Sequence, residues 1–252
     1  MSAPPGDRPG APQDTAAGAA AATGTDVRKD TEALLRRAVG MLEEDIAFGR
    51  LHPNQRLTED ALIVRFDLKR HVARDALATL ERMGLVERRR NVGALVRAFT
   101  PRQVEELYVV RELLEAEAAR LIPLPVPPER LAPLEAIQRR HDEAVAAHDA
   151  AAVFRANLAF HAALFGLCGN DTLRGAIAEY ARQTHPIRFS THLSDDYRAR
   201  SRAEHWRMIA ALADGDREAL VAACRAHLAP SRDAYLEANR HRLRAASSKT
   251  TS

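Results

Sequence analysis

Between Leu57 and Val96 the apolar positions change period twice. Leu57, Ala61, Leu62 and Phe66 fall on one side of a short helix, with Thr58 as its N-cap and Glu59 and Asp60 in the favourable first turn. Asp67 occupies the following turn, where a left-handed backbone is expected and Asp tolerates it. Ala73, Ala76, Leu77 and Leu80 then repeat at i, i+3, i+4 and i+7, the buried stripe of a second helix. From Leu85 the pattern becomes extended, runs through Arg88, Arg89 and Arg90, turns at Asn91-Val92-Gly93 and returns through Ala94 to Arg97. Two helices around a tight turn followed by a hairpin outline a winged helix-turn-helix.

After a boundary near residues 99–103 the pattern is helical almost to Arg244. Thr100, Pro101 and Gln103 have the spacing of a capping box with proline at the first helical position. Breaks are expected at Pro123 to Pro128, at Gly166 to Asn170, at Pro186 and at Asp214-Gly215-Asp216, which gives an all-α bundle of about six helices. The fold class is therefore mostly α: an N-terminal winged helix-turn-helix domain (29–99) plus a C-terminal helical bundle (100–244), flanked by tails at 1–28 and 245–252 expected to be disordered. The 252-residue length suits two ordinary domains.

Charge and chemistry sharpen this outline. The net charge is only +3, from 37 basic and 34 acidic residues, so basic character must be local if it matters. It concentrates on the exposed flank of the second helix, where Arg70 and Arg74 lie one turn apart beside Lys69 and His71. Guanidinium forks there suit guanine edges in a major groove, while Arg90 in the hairpin faces a polyanion. No hydrophobic run approaches the roughly 20 residues of a membrane span. The cysteines, Cys168 and Cys224, lack metal-ligand spacing and are expected to pack as small apolar groups in a reducing cytoplasm.

A second constellation lies in the bundle. Asn157 and His161 share a stripe with Leu164, Phe165 and Cys168; His205 shares one with Ile209 and Leu212; His227 shares one with Leu220, Ala223 and Cys224. Three helices thus each direct one imidazole inward. Neutral imidazoles suit a divalent metal such as Zn or Ni, with an Asn157 oxygen as a weaker donor; the alternatives are a polar effector site, or core histidines satisfied by their neighbours in a purely structural dimerisation domain. A metal-dependent helical enzyme is disfavoured because Glu204, the acid adjacent to the cluster, is turned about 100° from His205 by the helical period.

These residues resemble a known family. Gly49 to Leu57 (GRLHPNQRL, including Arg56), Lys69 to Leu77 (KRHVARDAL), Gly84-Leu85-Val86 and Arg90-Asn91-Val92-Gly93 are similar to the DNA-binding domain of GntR-type bacterial transcription regulators. Lys69 stands where the family has a serine N-cap, and His71-Val72 where it has Thr-Pro. Val110 to Glu115, Asn157 to His161, Gly169-Asn170, Glu204-His205, Gly215-Asp216 and His227 resemble the FCD effector domain of the FadR-type subfamily. The resemblance implies a cytoplasmic homodimer that binds double-stranded operator DNA, most often as a repressor, through Arg56, Lys69, Arg70, His71, Arg74, Arg90, Asn91 and Gly93. It implies a divalent metal held by Asn157, His161, His205 and His227, with Asn157 replacing the family's Asp. It also implies a small carboxylate effector, for which Arg111 and Arg188 are the basic candidates.

Overall fold

The computed structural model describes residues 16–90, 92–192 and 195–249. The N-terminal unit comprises α1 (Ala16–Ala47), β1 (Arg56–Leu57), α2 (Glu59–Phe66), α3 (Arg70–Arg82), β2 (Val86–Arg89) and β3 (Gly93–Val96). The strands form an antiparallel sheet in the order β1-β3-β2, with Val86 opposite Val96 and Arg89 opposite Gly93. Ala38, Leu42 and Ile46 of α1 close a core with Leu62, Leu77, Leu80 and Val96. The local signals act as read. The Thr58 hydroxyl accepts from Ala61 N, and Asp67 ends α2 in the left-handed region at φ 52°. Within α2, Leu62 is buried and Ile63 and Phe66 are partly so, whereas Ala61 is exposed and Leu57 belongs to β1 instead. The inward face of this helix is thus rotated from the predicted one, with Ile63 in place of Ala61, while Leu57 reaches the same core from β1.

The C-terminal unit comprises α4 (Pro101–Leu121), α5 (Pro128–Ala146), α6 (Ala150–Gly166), α7 (Asp171–Gln183), α8 (His185–His192), α9 (Asp195–Asp214) and α10 (Arg217–Lys249). The Thr100–Gln103 capping box starts α4 as expected. Among the described residues there are seven helices rather than about six. One break has no Gly or Pro: His148 adopts φ 53° and Asp149 caps α6 by accepting from Ala152 N at 2.9 Å. Phe160, Leu164, Met208, Leu212, Leu220 and Cys224 are central to the bundle core.

Both expected tails are in part helical. Helix α1 begins at Ala16, inside the stretch read as disordered to residue 28, because an alanine-rich run has the highest helix propensity. Helix α10 continues past Arg244 to Lys249 through Ala245 and Ala246 for the same reason. The remainder of each tail lies outside the described residues.

The two units meet around the C-terminal end of α1 and the segment after β3. Phe48 packs edge-on against Phe154 with ring centroids 5.6 Å apart, Glu44 pairs with Arg155 at 2.8 Å, and Arg97 donates to Gln183 Oε1 at 3.1 Å. Gly84 permits a related close approach: its φ is +72°, and a Cβ there would lie 2.7 Å from Gln183 Cγ.

Candidate functional site

Helix α3 presents a buried face through Val72, Ala73, Ala76, Leu77 and Leu80 and an exposed one through Lys69, His71, Arg70 and Arg74. Lys69 is an N-cap in extended conformation with no side-chain cap hydrogen bond, as its replacement of serine predicts. The guanidiniums of Arg70 and Arg74 are oriented by the acidic first turn of α2. Arg70 reaches Asp60 at 2.9 Å and Glu59 at 3.5 Å, while Arg74 donates to Glu59 at 3.2 Å. In the wing, Arg90 is exposed, and Gly93 at φ +99° lies close to the exposed Arg56, whose Nε would be 3.6 Å from a Cβ at that glycine. Asn91 lies outside the described residues.

The bundle helices bring the predicted histidines together. Ring centroids of His161 (α6), His205 (α9) and His227 (α10) form a near-equilateral triangle with sides of 5.1, 4.9 and 5.0 Å. One ligand nitrogen from each lies within 4.8 Å of the others. His161 Nε2 and His227 Nε2 are 3.1 Å apart. That matches the roughly 2.9–3.4 Å expected of two imidazoles about 2.0–2.1 Å from one ion at bond angles near 90–110°.

The outward nitrogens of two rings are tied down. His227 Nδ1 donates to Glu204 Oε2 at 2.8 Å, and His205 Nδ1 donates to Gln138 Oε1 at 2.8 Å. In a neutral ring held this way the inner nitrogen carries the lone pair that a metal would take. His205 Nε2, His161 Nδ1 and Asn157 Nδ2 are buried without hydrogen-bond partners. Phe160 stacks on His205 at 3.9 Å and fixes its plane.

Electrostatics favour uncharged rings. Burial, reinforced by neighbouring histidines and arginines, holds His161 and His205 well below the usual imidazole range. Burial likewise lowers the adjacent His141 to about 4, against an opposing pull from Asp142. For Glu204, burial raises the carboxyl, but hydrogen bonds from His227 and Arg200 outweigh it and hold the group below its ordinary value. Burial pushes the Cys224 thiol upward, so it packs as a neutral group and supplies no thiolate. The donor set of three imidazoles, with an amide alongside, fits a borderline divalent cation.

Asn157 and His161 line a cavity of about 450 Å³. Arg111 and Arg188 both reach its wall from buried positions. Arg111 is already engaged: Glu115 takes its Nε and Nη2 at 2.9 and 2.7 Å, and Thr184 accepts from Nη1 at 3.2 Å. Arg188 donates to the Tyr197 hydroxyl at 3.2 Å. Two wall residues had no sequence signal. Arg182 has a buried Nε without a partner, and Glu43 arrives from α1, its Oε1 3.2 Å from Nδ1 of the fully buried His185 without hydrogen-bond alignment. The Arg111–Glu115 pairing, by contrast, was readable from its i, i+4 spacing.

A winged helix-turn-helix joined to a helical bundle that holds a largely apolar cavity with a few charged residues in its wall has the architecture of a DNA-binding transcription regulator. Residues 34–96 match the family model described as bacterial regulatory proteins, gntR family, and residues 106–230 match the FCD domain. The chain belongs to the GntR family of transcription regulators, with an FCD effector domain. The Nta operon transcriptional regulator of Aminobacter aminovorans is 26% identical over 185 residues, covering 73% of this chain and 86% of the relative. The HTH-type transcriptional regulator YdhC of Bacillus subtilis is 25% identical over 181 residues, covering 71% of this chain and 80% of that protein. In fold, the chain is similar to McbR/YncC of E. coli, with a TM-score of 0.70 and 20% identity over 82% of this chain and 98% of that one. A GntR regulator from a Rhodococcus species gives a TM-score of 0.67 at 23% identity, over 81% of this chain and 98% of the other. No helix among the described residues is long and apolar enough to cross a membrane.

Proposed function

We propose that this regulator is a cytoplasmic homodimeric repressor whose operator affinity is set by a small organic acid bound in the cavity walled by α1, α4, α6, α7 and α8, beside a divalent metal. The observation that carries this reading is the convergence of three imidazoles, one of which, His161, stands in the wall of a cavity that also receives buried arginines. His161, His205 and His227 hold the ion, with Asn157 Oδ1 as a weaker fourth donor. A divalent cation such as Zn or Ni supplies a Lewis-acid anchor for a carboxylate. Arg188 orients that carboxylate from the opposite charge, and Arg182 is better placed to assist than Arg111, whose charge Glu115 neutralises. On DNA, Arg70 and Arg74 read base edges in the major groove, Lys69 and His71 contact the backbone, and Arg56, Arg90, Asn91 and Gly93 form the wing contact. Two copies meet two half-sites of a near-palindromic operator. The acid shifts operator affinity by binding unequally to the two arrangements of the domains.

The test is a thermal-shift series on metal-stripped and Zn- or Ni-loaded protein against a panel of small carboxylates. A ligand present at about 100 times its dissociation constant adds roughly 2.7 kcal/mol if it binds the folded state alone. A shift that needs metal and is lost in His161→Ala is expected. Arg188→Met should retain the metal-induced shift but lose the further carboxylate shift. A protein that retains no metal after purification, and is not stabilised by added Zn or Ni, would replace this reading with a purely structural dimerisation domain.

A further inference from the structure

Outside the cavity lining, a chain of hydrogen bonds runs from His205 to the edge of the bundle. Gln138 on α5 is fully buried. Its Oε1 accepts from His205 Nδ1 at 2.8 Å, and its Nε2 donates to Asp142 Oδ1 at 2.8 Å. Asp142 is itself held by Trp206 Nε1 at 2.9 Å and by Arg202 Nε at 3.1 Å. A carboxylate has no proton to give, so the Gln138 amide must turn its NH2 to Asp142 and its carbonyl to His205. A carbonyl can only accept, so His205 must carry its proton on Nδ1. The lone pair of Nε2, which is buried and has no protein partner, then points into the histidine cluster.

We propose that Gln138, locked by Asp142, is a positioning residue that sets the tautomer and orientation of His205 for metal binding. It is the neutral counterpart of Glu204, which does the same for His227. This inference rests on the metal reading of the cluster. A residue that only filled space would hold the helices together without choosing the tautomer, whereas this arrangement makes the carbonyl oxygen the part that matters.

The experiment measures Zn(II) and Co(II) affinity of the full chain by chelator competition, together with the Co(II) absorption spectrum. Gln138→Leu, which removes the acceptor at similar volume, is expected to weaken both ions by about 10- to 100-fold and to alter the Co(II) spectrum. Gln138→Glu, which as a carboxylic acid can donate to Asp142 and still accept from His205, is expected to stay close to the wild-type affinity. In metal-free wild-type protein, long-range proton–nitrogen NMR of the imidazoles is expected to place the His205 proton on Nδ1, a readout that needs no variant to fold. Wild-type metal affinity in Gln138→Leu, an equal loss in both variants, or a proton on Nε2 would overturn the positioning role while leaving the metal site standing. A wild-type chain that takes up neither ion would remove the metal reading and this role together.

Discussion

Replacing Arg70 and Arg74 together by alanine is expected to abolish most discrimination between operator and random DNA. A bidentate arginine–guanine contact contributes about 1–3 kcal/mol of discrimination, and well-separated contacts add roughly, so the pair is worth on the order of 2–6 kcal/mol. The ion pairs that hold these arginines in the free protein do not cancel that value. Their side chains are 62% and 60% exposed, and such exposed pairs contribute about 0–1 kcal/mol, so Glu59 and Asp60 pre-orient the forks without locking them. Binding to a site selected in vitro should fall steeply, while binding to scrambled duplex should fall far less, because phosphate contacts carry the non-specific part. An unchanged ratio between the two duplexes in a gel shift would remove α3 from the role of reader.

Acid should unfold the metal-free protein well before its carboxylates are exhausted. His141, His161, His185 and His205 all have their basicity lowered, in each case chiefly by burial. An unfolded chain takes up protons at these rings near pH 6.5, whereas the folded chain resists. The stability they confer is therefore complete above pH 6.5 and drains away as pH falls. For His141 the window closes near pH 4, and the difference from 6.5 corresponds to about 3 kcal/mol. That is a large fraction of the roughly 5–15 kcal/mol that holds an ordinary domain together. Melting temperature after chelation should drop sharply between pH 6.5 and 4, and His141→Phe should flatten part of the slope. A flat profile across that interval would contradict the burial of these rings.

The DNA-binding half was legible because its signals are local. The stripe of α3, the Thr58 cap, the left-handed Asp67 and the Gly93 turn each act within a few residues, and periodicity alone aligns them. The three histidines were legible for the same reason: each lies on the apolar stripe of its own helix. What periodicity cannot give is the partner of a face. Glu204 is indeed turned away from His205, its neighbour in sequence, but the turn delivers it to His227 on another helix. Gln138 reads as a surface glutamine on α5 and becomes a buried acceptor only once α9 packs against it. The break at His148 and Asp149 escaped because a left-handed His and an Asp cap punctuate an alanine-rich run without Gly or Pro. Arg182 and Glu43 were invisible because a cavity wall has no sequence period.

Glu43 gives the cavity a mixed parentage. One panel of its wall is carried by α1, whose Ala38, Val39, Leu42 and Ile46 are built into the core of the DNA-binding domain. Under the proposed function, a ligand filling the chamber would touch the DNA-binding domain directly through Glu43, with no intervening chain of residues. A practical corollary concerns ligand discovery. An excised helical domain would offer small molecules a room with a missing wall, and hits ranked on that fragment would be ranked against a pocket that the intact regulator does not possess.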